Sequence, residues 1–243
     1  ELHDWRTAWA KPIAILGVVG VLLMLEPDFG STLICSGMMV LMVWIAGARW
    51  IHLAGVALMG LALIAVAIAA EPYRLRRLAA FLSPDADTQG VSYHINQALI
   101  SFSSGGWNGL GLGESRQKLL YLPEAHTDFI FSILGEELGL VGVVALVTLF
   151  LLFAWRGFRT AWHAPTAFGG LLAFGLTALI TFQAATNMAV ATALLPTKGL
   201  TLPLISYGGT SLVVSAMAVG ILLRIDHERR MSGRKVTPRG GAE

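Results

Sequence analysis

Apolar residues in this chain come in long blocks separated by brief polar punctuation: approximately Thr7–Leu25, Phe29–Ala48, Ile51–Ala70, Leu138–Trp155, Ala167–Leu195 and Leu202–Ile225. Each block approaches the roughly 20 residues that a helix needs to cross a bilayer. The segment between the third and fourth blocks is different. It runs from Glu71 to about Glu137, far beyond the roughly 12–15 residues of an ordinary connection, and loops of that kind are functional or disordered. Here Ile95, Ala98, Leu99 and Phe102 stand at helical spacing ahead of Gly105-Gly106. That predicts an amphipathic helix lying on the membrane surface or against the helix bundle. Gly105–Gly113 reads as a flexible turn region. Its Gly-Leu-Gly-Leu-Gly run does not match a dinucleotide fingerprint and follows no predicted strand.

The pattern therefore predicts an all-α, polytopic helical membrane protein with a long, partly helical extracytoplasmic loop. Residues 1–70 would supply three transmembrane helices, 71–137 the loop, 138–225 three more helices, and 226–243 a basic cytoplasmic tail. Composition agrees: 55% of residues are hydrophobic and 13% charged, against about 25% charged in an average soluble domain. A soluble fold would have to bury six such blocks among few amphipathic partners. The single cysteine, Cys35, excludes an internal disulfide and says nothing about redox compartment. The chain opens at Glu1 with no initiator Met and no signal peptide before the first block, as expected of a start within a longer protein.

Net charge is only +2, so its distribution carries more information. With both termini on one side, that side collects Arg6, Lys11, Arg49, Arg156, Arg159, Arg224, Arg229, Arg230, Arg234, Lys235 and Arg239. The other side holds Arg74, Arg76, Arg77, Arg116, Lys118 and Lys198. The excess of Lys and Arg predicts cytoplasmic termini, with the long loop and the Pro196–Ser211 connection facing outward. Within the loop, Lys118–Gly139 gathers Lys118, Glu124, His126, Asp128, Glu136 and Glu137 at the border of a new apolar block. Ionisable groups beside hydrocarbon are expensive, and such a cluster marks a candidate functional site where a lipid-linked substrate would present its head group.

Six motifs, in order along nearly the whole chain, carry a family resemblance: Glu26-Pro-Asp-Phe-Gly30, Tyr93-His-Ile-Asn-Gln97, Gly111-Leu-Gly-Glu-Ser-Arg-Gln-Lys118, Leu122-Pro-Glu-Ala-His-Thr-Asp-Phe-Ile130, Gly135-Glu-Glu-Leu-Gly139 and Leu195–Gly209. Together they resemble the SEDS family of membrane glycosyltransferases, which polymerise the lipid II precursor of peptidoglycan. Leu195-Pro-Thr-Lys-Gly199 is closer to the division-type member than to the elongation-type one. Family members have ten spans, so the resemblance implies the six C-terminal ones here. Ala191-Thr-Ala193 departs from the pattern, which would place a glycine just before Leu-Leu-Pro.

The resemblance implies a role for Asp128 in polymerisation. The acceptor sugar's hydroxyl is a poor nucleophile, and a carboxylate in reach can take its proton. Asp128 could instead hold a divalent cation, Mg²⁺ or Mn²⁺, against the leaving pyrophosphate; no other cofactor is expected. The bland alternative is that Thr127 or Asp128 caps a helix beginning at Phe129. Glu124 could raise the Asp128 pKa by repulsion, although Glu124 and His126 flank Pro123 and would equally serve as solvated loop residues. Glu136 and Glu137 would complement the dipole of the next helix. Arg74, Arg76 and Arg77 could grip the pyrophosphate or snorkel to lipid phosphates, and Lys198 could meet a phosphate or Asp128. Gln183, Thr186 and Asn187 read as interhelical hydrogen-bond glue.

The expected substrate is lipid II. The expected partners are a class B penicillin-binding transpeptidase, other division proteins and membrane lipids, with no nucleic acid. The expected place is the bacterial cytoplasmic (inner) membrane at the septum. Two other functions fit a chain of this kind: a lipid II flippase, which should concentrate polar residues at the midplane, and a non-catalytic scaffold for the transpeptidase.

Overall fold

The computed structural model describes residues 29–47, 93–117, 126–197 and 199–234, with isolated positions between 14 and 62. The regular elements among the described residues are helices: α1 Phe29–Ile45, α2 Tyr93–Gly105, α3 Ile130–Trp162, α4 Ala167–Ala191 and α5 Gly209–Arg234. Three are long and apolar enough to cross a membrane, namely Ile130–Trp162, Ala167–Ala191 and, within α5, Gly209–Met231. α1 is a shorter apolar helix of 17 residues. The all-helical membrane architecture expected from the apolar blocks is the one adopted. The third block lies largely outside the described residues, and so does the first part of the first block.

α4 organises the bundle. Its buried Ala173, Thr177, Ile180, Ala184, Asn187 and Ala191 recur at alternating spacings of four and three. That repeat forms one stripe along the helix. Most of the stripe is small, and small residues let membrane helices approach closely when hydrophobicity gives no drive for association. Thr177 packs onto Gly157 of α3, Gly170 faces the Ala161 carbonyl, and Gly175 meets the Met42 side chain of α1. At one end Leu222 and Ile225 of α5 close over Ala173. At the other, Phe131, Leu146, Ala184, Ala191 and Leu202 form a second cluster.

Two block starts move, and the ends of the last three blocks shift as well. The fourth apolar block starts at Leu138, but α3 starts at Ile130, because Phe131 and Ile133 already bury an apolar face. The sixth block starts at Leu202, yet α5 begins only at Gly209. Pro203 has no N–H to continue a helix, and Leu204 adopts a φ of 67°. Leu202 is 1% exposed and serves the core from a loop.

α3 is broken at Gly139, where φ is 64° and ψ −164°. The break strips partners from the groups on either side, and the turn after α2 supplies new ones. Leu110 and Gly111 N–H donate to the carbonyls of Glu136 and Glu137, both at 3.0 Å. In return, Leu140 N–H donates to the Gly106 carbonyl at 2.9 Å and Val141 N–H to the Trp107 carbonyl at 3.3 Å. Gly105–Gly113 is thus a hydrogen-bonded splice rather than the flexible region expected. Close approach explains Gly105 and Gly109, since a Cβ on either would strike a carbonyl, that of Gly135 or of Glu137. α2 lies against the helix bundle, with Ile95, Ala98, Ser101 and Gly105 buried. Phe102 packs edge-on to Phe131, with 5.5 Å between centroids. Leu99, expected on the buried face, is 43% exposed, because contact through Gly105 and Gly135 turns the helix on its small residues.

Candidate active site

The end of the bundle where α3 begins and α4 finishes carries the turn 126–128, ahead of α3. The helix cap position is Phe129, one residue later than capping by Asp128 requires. Phe129 is buried beneath the turn, where it packs with Ala98, Ile133 and Val190 and stacks on the His94 ring, centroids 6.1 Å apart. With the aromatic side chain anchored inward, the three residues before it are held at the bundle surface.

Their backbone is fixed one carbonyl at a time. Tyr207 N–H donates to the His126 carbonyl at 2.9 Å. The Ser206 hydroxyl donates to the Thr127 carbonyl at 2.5 Å and accepts the Leu202 N–H at 2.7 Å. The Asn187 side-chain amide donates to the Asp128 carbonyl at 2.8 Å and also to the Leu200 carbonyl at 2.5 Å. Four residues earlier on α4, the Gln183 amide donates to the Thr201 carbonyl at 3.0 Å. Thr201 in turn shares a hydrogen bond with Ser211 at the start of α5. The turn, the 199–207 loop and α4 are therefore tied into one unit. Asp128 turns its carboxylate toward Gly199, so that a Cβ built there would lie 3.2 Å from Oδ2. Gly199 is the chain neighbour of Lys198.

Of the residues singled out in the sequence, Asp128 is half-buried and His126 exposed. Lys118, Glu124, Arg74, Arg76, Arg77 and Lys198 lie outside the described residues. Glu136 and Glu137 do not open a helix, since the first turn of α3 contains no acidic residue. Glu136 is instead 1% exposed. Its carboxylate accepts the Ser115 hydroxyl at 2.5 Å and the Arg116 N–H at 3.2 Å. A buried carboxylate needs such donors, and these anchor the segment beyond the glycine splice. Gln183 and Asn187 do act as glue, but they join a helix to a loop. Thr186 bonds within its own helix, to the Phe182 carbonyl.

The sequence assigned no role to Ser115, Ser206 or the Tyr207 backbone; all three stood inside family motifs, and that was the available signal. No group of three or more His, Cys, Asp or Glu able to hold a metal occurs among the described residues. Beside the helix break, a cavity of about 630 Å³ is lined by Phe102, Trp107, Phe131, Val143, Met188 and Leu194 among others.

The fold and this end of the bundle define a helical membrane protein that presents one clamped aspartate at the mouth of its helices. Residues 2–231 match the FtsW/RodA/SpoVE family, described as cell cycle proteins. The chain belongs to that family. A probable peptidoglycan glycosyltransferase FtsW of Idiomarina loihiensis is 50% identical over 247 residues, covering 100% of this chain and 60% of that protein. Another, of Legionella pneumophila, is 48% identical over 231 residues, covering 94% of this chain and 59% of that protein. The chain thus spans about 60% of the length of these curated relatives. Among solved structures, a chain from a peptidoglycan synthase complex that coordinates polymerization and crosslinking superposes with a TM-score of 0.72 at 32% identity, over 93% of this chain and 63% of that one. The rod shape determining protein RodA of Thermus thermophilus superposes with a TM-score of 0.60 at 30% identity, over 93% of this chain and 58% of that one.

Proposed function

We propose that the full-length protein polymerises lipid II into glycan strands during cell division, as an inverting peptidoglycan glycosyltransferase. The observation that carries this reading is the clamped turn, which holds the Asp128 carboxylate over Gly199 at the end of the bundle. Acceptor and donor are both lipid-linked, so chemistry at a membrane border suits them. Asp128 takes the proton from the acceptor hydroxyl as it attacks the donor's anomeric carbon, and the bond to the lipid pyrophosphate breaks on the opposite face. Attack from the side opposite the leaving pyrophosphate turns an α-linked donor into a β-linked product. Fixing both sugars also removes the entropy of bringing them together.

Lys198, next in the chain to Gly199, meets the departing pyrophosphate. Arg74, Arg76 and Arg77 assist it through bidentate contacts with phosphate, while Glu124 and His126 border the sugar site. The alternative role for Asp128 is to hold a divalent cation together with substrate phosphate oxygens and water, the ligand set that Mg²⁺ favours; the cation would then neutralise charge on the leaving group in place of proton transfer by Asp128. The cavity beside the helix break has the apolar lining that a polyprenyl chain requires. We place the termini in the cytoplasm, the 71–137 loop outside, and the assembly at the septum with a class B penicillin-binding transpeptidase.

A flippase needs midplane polar groups free to meet its cargo. Here Gln183 and Asn187 are engaged by the 200–201 backbone, and Thr186 by its own helix, which favours polymerisation. The test is activity without compartments. The full-length protein with its transpeptidase, in detergent and with Mg²⁺ or Mn²⁺, should convert lipid II into strands. Flipping of lipid II in sealed vesicles, with no polymer from the same preparation, would assign it to transport.

A further inference from the structure

Asn187 holds a core position in the α4 stripe and is 1% exposed. Its two contacts are both backbone carbonyls, of Asp128 and Leu200, 59 and 13 residues away in the chain. Two acceptors converging on one side-chain atom need a donor with a hydrogen for each, which the uncharged NH₂ group of a side-chain amide supplies. Neither Asp nor a hydroxyl residue supplies that pair. We infer that Asn187 is a positioning residue, which sets the spacing between the aspartate turn and the 199–207 loop and so holds the Asp128 carboxylate in register with that loop. The inference rests on the reading of Asp128 as the catalytic base.

The hydrogen bonds around Asn187 separate its role from that of general support. The 199–207 loop has its own tie to α4, from Gln183 to Thr201, and a link to α5 through Ser211. Losing the Asn187 amide therefore leaves the loop, and the phosphate contacts proposed for it, in place. The Asp128 carbonyl loses its donor from α4, while the Ser206 and Tyr207 bonds to the residues before it stay in place. Misplacing a base by a fraction of an ångström slows the chemical step and leaves substrate binding intact. The expected signature is thus a fall in kcat with little change in KM. Ser206 acts on the same turn one residue earlier, and Thr186, buried beside Asn187 but bonded within its own helix, is the matched control.

The experiment is steady-state polymerisation of lipid II by the full-length protein with its transpeptidase partner. It compares wild type, Asn187→Leu, Ser206→Ala, Thr186→Val and Asp128→Asn at equal inserted protein. Asn187→Leu should lower kcat at least tenfold with KM within threefold, Ser206→Ala should lower it less, and Thr186→Val should stay within twofold. If Asn187→Leu fails to insert, Ser206→Ala decides alone through the same kcat-against-KM split. Turnover within twofold of wild type in both, with Asp128→Asn inactive, would overturn the positioning role and leave the catalytic reading standing. An equal loss in Thr186→Val, or a KM raised tenfold, would also overturn it. Polymerisation by Asp128→Asn would instead remove the reading on which the inference rests.

Discussion

Replacing Gly139 by Ala should undo the splice that joins the glycine turn to α3. A φ of 64° with ψ of −164° lies in a region reserved for glycine, and holding a side-chain-bearing residue there costs about 1–3 kcal/mol. The new Cβ would also meet the main chain of Gly109 and Trp107, which cannot rotate aside as a side chain can. Relief requires the turn to withdraw, and four backbone hydrogen bonds go with it: Leu110 to Glu136, Gly111 to Glu137, Leu140 to Gly106 and Val141 to Trp107. At about 0.5–1.5 kcal/mol net for each, the combined loss is roughly 3–9 kcal/mol. Thermal unfolding of the full-length protein in detergent should register a Tm lower by at least about 3 °C, at roughly 1 °C or more per kcal/mol for a chain of its relatives' length. Gly220→Ala is the control, being helical with open space around it. A Gly139→Ala protein as stable as the Gly220→Ala protein would refute the strain and splice reasoning together.

Three further outcomes are expected. Ala193→Gly should stabilise the protein by about 0.5–1 kcal/mol, read as a higher Tm, because Ala193 stands at φ 60°, where a Cβ costs about 1–2 kcal/mol against roughly 0.4–1 kcal/mol for the freer unfolded glycine. Ser115→Ala should cost about 1–3 kcal/mol in the same assay, since it removes a donor from the buried Glu136 carboxylate. In a Cys35→Ser background, a cysteine at Ser104 should react with an impermeant thiol reagent in intact cells and one at Ser232 should not; the reverse pattern would invert the proposed topology.

The helices were legible because a membrane helix must be apolar along its length, and the fourth, fifth and sixth blocks fall on the three spans. Their exact ends and two of their starts were not: blocks closing at Trp155, Leu195 and Ile225 meet helices closing at Trp162, Ala191 and Arg234. Leu202 and Pro203 are as apolar as any helix residue, yet they bury themselves from a loop, and hydropathy cannot separate the two. The break at Gly139 was hidden because apolar residues continue through it and glycine is common in membrane helices. Its partner glycines at 105, 106 and 109 stand some 30 residues earlier, at a distance that no local pattern spans. The departure at Ala193 was visible in the sequence, and its meaning came only with the backbone: Leu194 N–H reaches back to the Ala189 carbonyl and Ala193 N–H to that of Val190, the helix-ending motif that glycine favours.

The candidate site divides in the same way. Asp128 stood out through a family motif and its setting among ionisable residues. The side chains that hold its turn do so through the backbone carbonyls of Asp128 and Thr127, from 59 and 79 residues away. Such contacts constrain one partner only in its main chain, so the sequence around Asp128 bears no mark of them.

The central claim is that the Asp128 carboxylate performs proton transfer in glycan polymerisation. Asp128→Asn tests it most directly, since it keeps the size and the backbone carbonyl that Asn187 holds and removes the carboxylate. Measured as strand formation from lipid II by the full-length protein with its transpeptidase and a divalent cation, the variant should lose about 10²–10⁴ in rate, with insertion, Tm and partner binding unchanged. Robust polymerisation by the Asn variant would contradict the account.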